Sequence, residues 1–260
     1  MPKLIFPFDR IIDLHLSVVL SVLILFSGEA LSDANKIREL KLIDANFAGS
    51  AYDKKTGELI YIQEHHMSNL HGENEYVEIM QSLYKNAADE EIGRRKIVFK
   101  DGIVTEYVLR QKPIKRSESV VRTKNSIEIS VNDSEKITQK VIPIKANDEV
   151  VIDAGFSTFI VRNWDALING ETLKFKFVAI SRLSVVDLQV RLTARADDSL
   201  EFTMTAANPI IKMLMKPIHI EYLTESKKLF YYNGMSNLQN QNNQHYNVCL
   251  LYTSPSPRDS

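Results

Sequence analysis

From residue 47 onward, apolar and polar residues alternate in short runs separated by turn-forming residues. A period of two is typical of half-buried strands, because successive side chains of a strand point to opposite faces of its sheet. The runs follow one another through tight polar connections such as DKKTG, without the βαβ rhythm of parallel sheets. We therefore predict a mainly β protein with antiparallel strands at residues 47–52, 58–65, 76–84, 94–100, 103–110, 119–124, 126–131, 136–142, 173–180, 185–194, 200–206, 218–223 and 229–232.

One segment breaks this alternation. In Ala154 to Asn169 (AGFSTFIVRNWDALIN), the apolar residues fall at helical spacing, Asp153 is placed to cap the N-terminus, and Gly170 follows the end. A second, short helix is predicted from Pro209 to Lys216. An apolar helix needs a surface to pack on, and a curved sheet offers one. The predicted fold is a strongly curved, half-barrel-like antiparallel sheet packed against one amphipathic helix.

The first 32 residues have the order of a secretory signal peptide. Lys3 and Arg10 precede the apolar run Leu16 to Phe26 (LSVVLSVLILF), and small residues follow it. The run is shorter than the roughly 20 residues that a membrane span needs. We predict an exported protein, periplasmic or secreted, with residues 1–32 as its signal peptide. An uncleaved N-terminal membrane anchor is the alternative.

The last segment, Cys249 to Asp259 (CLLYTSPSPRD), resembles a translated sequencing adapter. The in-frame transposase mosaic-end read encodes these residues without a mismatch. We therefore predict that residues 249–260 are an artefact and that residues 33–248 form one β-rich domain truncated at its C-terminus. The missing natural residues would supply a sheet-closing strand. Apart from Cys249 the chain has no cysteine, which excludes disulfides and cysteine-based zinc sites.

The charge balance limits the partners. The chain has 32 Lys and Arg against 33 Asp and Glu. A dedicated nucleic-acid binder needs an excess of basic residues for phosphate contacts. We predict no nucleic-acid partner.

Three segments carry a resemblance to a family. Residues 153–171 (DAGFSTFIVRNWDALINGE), 175–183 (FKFVAISRL) and 231–237 (YYNGMSN) resemble a family of uncharacterised bacterial secreted proteins. The resemblance extends from about Phe47 to Asn237 and implies an exported β-rich domain. It brings no known catalytic residue. The predicted arrangement is also similar to the half-barrels of periplasmic lipoprotein carriers, although fold analogy is weak evidence for function.

The sequence has none of the best-known catalytic or nucleotide-binding signatures, so we predict no cofactor and no catalytic residue. His65, His66 and His71 could bind a divalent ion by residue type. On a strand His65 and His66 point to opposite faces, so only one of them could join His71 across a turn predicted at residues 67–70. His65 and His71 are therefore weak metal candidates, and a solvated strand end is the favoured interpretation.

A basic cluster lies on one predicted hairpin and its loop. Anionic lipid head groups at an envelope surface would suit such a cluster, although an ordinary exposed hairpin has the same composition. The candidates for this anionic surface are Arg110, Lys112, Lys115 and Arg116.

The predicted helix and the strands after it supply candidates for a ligand cavity. They are Phe156, Phe159, Ile160, Trp164, Arg182, Met204 and Met213, with Asp165 as a possible ionic partner of Arg182. The leading hypothesis is a non-enzymatic protein that binds an apolar or amphiphilic, lipid-like ligand between the sheet and the helix. The alternative is a structural or interaction module of the cell envelope, with an envelope protein as partner and a core filled by these aromatic residues. A metal-dependent enzyme is third.

Overall fold

A computed structural model describes residues 39–41, 47–71 and 76–253. Within them, 16 strands form one large sheet that is mostly antiparallel and not closed into a barrel. The mainly β, antiparallel prediction is confirmed. The predicted signal peptide and residues 254–260 of the predicted adapter lie outside the described residues. No helix of the described part is long and apolar enough to cross a membrane.

The elements follow one another as short strands with few helices. The strands are β1 Glu39–Lys41, β2 Phe47–Asp53, β3 Leu59–His71, β4 Tyr76–Lys85, β5 Glu91–Lys100, β6 Ile103–Gln111, β7 Arg116–Arg122, β8 Ser126–Asn132, β9 Ile137–Pro143, β10 Val150–Val151, β11 Leu173–Ala179, β12 Ser184–Arg195, β13 Ser199–Ala206, β14 Ile218–Leu223, β15 Leu229–Gln239 and β16 His245–Thr253. The helices are α1 Gly155–Arg162, α2 Trp164–Ile168 and α3 Pro209–Leu214, and a 3₁₀ turn spans Ile180–Arg182.

The sheet order joins the two halves of the chain at β16. From β10 the order runs through β11 to β16, then to β2, and from there through β3 to β9. The short β1 pairs with the end of β3, and only the β10–β11 pair is parallel among the described strands. Residues 249–253, predicted above to come from an adapter, form part of β16 between β15 and β2. Their origin stays a prediction, since strand pairing depends on the backbone and tolerates many sequences.

The sheet curls until its distant parts touch. The 3₁₀ turn Ile180–Arg182 contacts β7 and β8. From β7, Arg122 Nη1 donates a hydrogen bond to the Val150 carbonyl oxygen of β10 at 2.8 Å. The described strands β9 and β10 nevertheless stay unpaired with each other, so the sheet remains open.

The predicted long helix is two helices. They meet at Asn163, whose backbone leaves the helical region (φ −105°, ψ 22°) and whose Nδ2 donates to the Phe159 carbonyl oxygen at 2.9 Å. An Asn side chain that bonds to the backbone competes with helix continuation in this way. The predicted cap by Asp153 is wrong, because Ala154 holds the cap position without a side-chain bond. The Asp153 carboxylate binds Arg95 instead.

Two strands continue six or seven residues past their predicted ends. β3 continues to His71, so the turn predicted at residues 67–70 is wrong. The polar residues Ser68 and Asn69 stay in the ladder because they pair with β4, where Met67 also faces Met80. β15 likewise continues to Gln239.

The buried residues form two cores. The helix-side core lies where α1 and α2 pack on β11–β14, and it includes Phe159, Trp164 and Phe202. The sheet-interior core lies on the inner face of β2–β8 and is extended by β15 and β16. Tyr84 and Tyr107 are among its fully buried residues.

Candidate functional site

A row of buried polar side chains crosses three neighbouring strands of the sheet-interior core. His65 on β3 lies directly opposite Ser82 on β4, and Ser82 lies directly opposite Arg95 on β5. Their exposed fractions are 3%, 3% and 7%. Side chains directly opposite one another on antiparallel strands interact, so the register alone assembles this group, called here the polar row.

The charge of Arg95 is balanced by Asp153. Arg95 Nη1 donates to both carboxylate oxygens of Asp153, at 3.0 and 3.1 Å. Asp153 stands just before α1 in the left-handed region (φ 43°), which turns the chain from β10 into the helix. The two side chains are 6% and 14% exposed. A guanidinium this deeply buried needs such a partner, because an unpaired buried charge is strongly destabilising.

A distant strand completes the ion pair. Asn237 of β15 donates through Nδ2 to the Tyr84 hydroxyl at 3.2 Å and to Asp153 Oδ2 at 3.4 Å. The Arg95 guanidinium carbon lies 5.7 Å from the centroid of the Tyr84 ring, a cation–π distance. Strands β4, β5 and β15 and the residue before α1 therefore meet around the Arg95–Asp153 ion pair.

The Ser82 hydroxyl links Arg95 to His65. Arg95 Nη2 donates to Ser82 Oγ at 3.1 Å, and Ser82 Oγ lies 2.8 Å from His65 Nδ1. One arrangement that satisfies both contacts has the Ser82 hydroxyl donate to His65 Nδ1, with the imidazole proton on Nε2. His65 Nε2 and Arg95 Nε are both buried and have no hydrogen-bond partner among the described residues. In that tautomer the row contains two buried N–H groups that lack an acceptor.

The surroundings keep His65 neutral. Burial lowers the pKa of His65 well below its ordinary value, and the nearby Arg95 cation lowers that pKa further. Burial also opposes the charge of Arg95, but the Asp153 carboxylate helps to raise the pKa of Arg95 above its ordinary value. At neutral pH the polar row with Asp153 therefore carries one positive and one negative charge.

Half-buried aromatic and sulfur-containing side chains border the polar row. The Phe47 ring stacks on the His65 ring at a centroid distance of 4.4 Å, and Met80 Sδ lies 3.8 Å from Arg95 Nη2. Tyr252 accepts a hydrogen bond from Gln63 Nε2 at 2.7 Å. Burial raises the pKa of Tyr252 although its side chain keeps some exposure.

The predicted cavity residues do not line one space. Phe159, Ile160, Trp164 and Met204 are 1–4% exposed and belong to the helix-side core, with Phe156 packed against its edge. The Trp164 ring lies 5.5 Å from Phe202 and 6.1 Å from Tyr222 between centroids, so aromatic rings fill this region. Arg182 and Met213 lie at the surface. No ion pair between Arg182 and Asp165 is present among the described residues.

The predicted anionic surface is split in the same way. Arg110, Lys112 and Lys115 are exposed, but Lys112 pairs with Glu91 at 2.9 Å. Arg116 turns inward and pairs with Glu118, which is 3% exposed, at 2.9 Å. Burial raises the pKa of Glu118, and the Arg116 guanidinium opposes that shift. Arg116 therefore serves a buried ion pair and does not contribute a free surface charge.

The metal candidates are separated by the long β3. His65 is in the interior, and the six residues of continuous strand that lead to His71 extend about 20 Å. One ion cannot bridge that distance. Among the described residues, no three His, Cys, Asp or Glu side chains gather as metal ligands.

The sequence interpretation missed Arg95, Ser82 and Asn237 as site residues. For Arg95 a signal was present in β5, where Gly93, Ile97 and Phe99 share its parity and face inward. A charge at a core-facing position of a strand indicates a buried ion pair or a site. Asn237 had no such signal, because it meets Tyr84 only through the curvature of the sheet.

Comparisons with known proteins give a likeness to solved structures but no sequence match. No protein-family model and no curated protein matches the chain. Among solved structures, the chain is similar to a β-barrel-like protein of the domain of unknown function DUF1849 from Brucella abortus. The TM-score is 0.37 at 8% identity, over 83% of this chain and 97% of that chain. At this level the likeness assigns no role to any residue.

Proposed function

We propose that the protein is a non-enzymatic binding protein that holds the polar end of an amphiphilic ligand against the polar row. The observation that carries the proposal is the pair of buried nitrogen atoms, His65 Nε2 and Arg95 Nε, that have no partner among the described residues. In the tautomer given above, both are N–H donors. A buried donor without an acceptor costs about 1–3 kcal/mol, which a ligand oxygen would recover. The amphiphilic hypothesis is thus kept, but its site moves from the helix to the sheet interior.

The charges favour a neutral acceptor. Arg95 and Asp153 already compensate each other at 3.0 Å, and His65 is neutral at neutral pH. A carboxylate added here would bring an uncompensated negative charge into a buried site. An ester or amide carbonyl would accept both N–H groups without that cost. We therefore expect a neutral lipid-like molecule.

The apolar part of the ligand has a surface beside the donors. In the next cross-strand row Met67 faces Met80, and Met80 faces Ile97. Met67 and Met80 are half-buried, and Phe47 borders the row on the other strand edge. Methionine side chains adapt to irregular apolar shapes, which suits an alkyl chain.

A displacement titration tests the proposal. The full chain would be loaded with the neutral fluorescent probe N-phenylnaphthylamine and titrated with monoolein or with oleate. We expect monoolein to displace the probe at the lower concentration. His65→Phe keeps the stacked ring but removes the Nε2 donor. This variant should weaken the binding of monoolein about tenfold.

His219→Phe is the matched control, since His219 lies on β14 and is bound to Glu201 at 3.1 Å. It should leave the titration unchanged. The proposal fails if monoolein does not displace the probe, or if the two histidine variants weaken the binding of monoolein equally.

A structural or interaction module of the envelope is the second candidate. It is favoured by the helix-side core, where the rings of Phe159, Trp164 and Phe202 fill the space in which a ligand cavity was predicted. Native mass spectrometry of the full chain distinguishes the two functions. A clean unliganded mass together with no probe uptake would support the module, and a retained amphiphile would support the binding protein.

Export belongs to the same proposal. The apolar run and the small residues after it favour a cleaved signal peptide. N-terminal sequencing of protein recovered from the periplasm should give a start directly after Ala30 or Ser32. An intact N-terminus on membrane-bound protein would support the anchor instead.

A further inference from the structure

The connection between β13 and β14 presents an apolar helix to solvent. In α3 the side chains of Ile210, Ile211 and Met213 are 72%, 43% and 88% exposed. All five residues from Pro209 to Met213 are exposed, so most of the circumference of the helix faces outward. A helix with apolar residues on most sides is normally covered. Other hairpin connections are polar, such as residues 224–228 (TESKK) and 240–244 (NQNNQ).

Local bonds hold α3 in place. Asn208 Oδ1 accepts hydrogen bonds from the backbone N–H groups of Ile210 at 2.9 Å and Ile211 at 3.4 Å, an N-cap that fixes the first turn. At the other end Met215 is half-buried and packs against the helix-side core. The apolar tip is therefore an ordered feature that the fold holds outward.

The charged side chains of the β13–β14 connection have one sign. Lys212 and Lys216 are exposed on either side of Met213. The sequence has no acidic residue between Glu201 and Glu221. Lysines beside an aliphatic surface are typical of segments that lie in the interface of an anionic bilayer.

We propose that α3 docks the protein on an anionic lipid surface. Ile210, Ile211 and Met213 enter the head-group region, and Lys212 and Lys216 contact the lipid phosphates. A membrane is favoured over a protein partner, because the centres of protein interfaces are enriched in Trp, Tyr and Arg and depleted in Lys. This surface is separate from the polar row and does not depend on the ligand proposed there.

A probe on the tip tests the docking directly. Met213→Cys in a Cys249→Ser background would be labelled with nitrobenzoxadiazole in the full chain. The label would be observed with vesicles of phosphatidylcholine, with and without phosphatidylglycerol. We expect a blue shift and stronger emission with the anionic vesicles. Ile137→Cys in the same background is the matched control, because Ile137 is 62% exposed on the edge strand β9. A label there should report no change.

The charge contribution is tested by adding Lys212→Glu and Lys216→Glu to the labelled chain. Each lost lysine should weaken the response to anionic vesicles by about fivefold. Three results would overturn the proposal: no response at position 213, an equal response at position 137, or a response that follows protein concentration without vesicles. The last of these would identify a contact between copies of the chain.

Discussion

The two cores differ in the side chains that they bury. In the helix-side core, Trp164, Phe202 and Tyr222 meet edge to face at centroid distances of 5.5–6.1 Å, and apolar burial dominates the packing. The sheet-interior core is built around an ion pair. Of the nine buried polar residues in the described part of the chain, seven lie on strands β3 to β7: Gln63, His65, Asn69, Ser82, Arg95, Gln111 and Glu118.

The difference indicates where function can be placed. A closed apolar cluster stabilises a fold without demanding partners. A buried ion pair is weak evidence for stability, since a well-packed apolar replacement of similar volume is often as stable. The sheet-interior core keeps its charges and two unpartnered donors, and that cost is understandable if the row binds a ligand.

Removing one charge of the sheet-interior core should have the largest effect. Arg95→Met leaves the Asp153 carboxylate buried without its partner, and we expect a loss of about 3–5 kcal/mol in the free energy of unfolding. Urea denaturation monitored by circular dichroism measures it.

The double variant Arg95→Met with Asp153→Asn tests the cause. It should recover most of the loss, because no uncompensated charge remains. If the double variant is as unstable as Arg95→Met alone, the loss comes from packing, and the contrast between the two cores is weaker than proposed.

A truncation in the helix-side core should lower the free energy of unfolding somewhat less. Here no second substitution is expected to restore stability, because no charge is left unpaired. Leu167 is 0% exposed on α2, and Leu167→Ala should cost about 3 kcal/mol through lost burial and the cavity left behind. The same urea titration measures it. Between pH 7 and pH 5.5 the size of this loss should stay constant, because the helix-side core is apolar. A strong pH dependence would show that the two cores are coupled.

The fold was more predictable than the site. Alternation predicted most strands, because each strand shows one face to a core. It failed where β3 continues through Ser68 and Asn69, since pairing with β4 satisfies polar residues that locally suggest a turn. The helix break at Asn163 was also missed, because it depends on one side chain bonding to the backbone.

The site depends on contacts that no local pattern encodes. Arg95 and Asp153 are 58 positions apart, and Asn237 is 84 positions beyond Asp153. Their meeting follows from the curvature of the sheet. The same holds for Tyr252, which lies 189 positions from Gln63 and belongs to the segment predicted to be an adapter.

The smallest predicted effect is a pH dependence specific to the sheet-interior core. In the unfolded chain His65 has its ordinary pKa of about 6.5, whereas burial and the Arg95 cation lower its pKa in the folded protein. Below about pH 6.5 the unfolded chain therefore binds more protons than the folded protein does. The contribution of His65 to the free energy of unfolding is complete above about pH 6.5. It falls by about 1.4 kcal/mol per pH unit as the pH drops toward the pKa of His65 in the folded protein.

His65→Phe should remove this dependence, so the stability difference between the wild type and the variant should shift by about 1.4 kcal/mol between pH 7.5 and pH 5.5. His245, whose pKa is also lowered by burial, and Glu118, whose pKa is raised, contribute equally to both proteins and cancel in the difference. Urea titrations at the two pH values measure the shift. An unchanged difference would mean that His65 already meets solvent, and the contrast between a dry apolar core and a buried polar one would then apply only to Arg95 and Asp153.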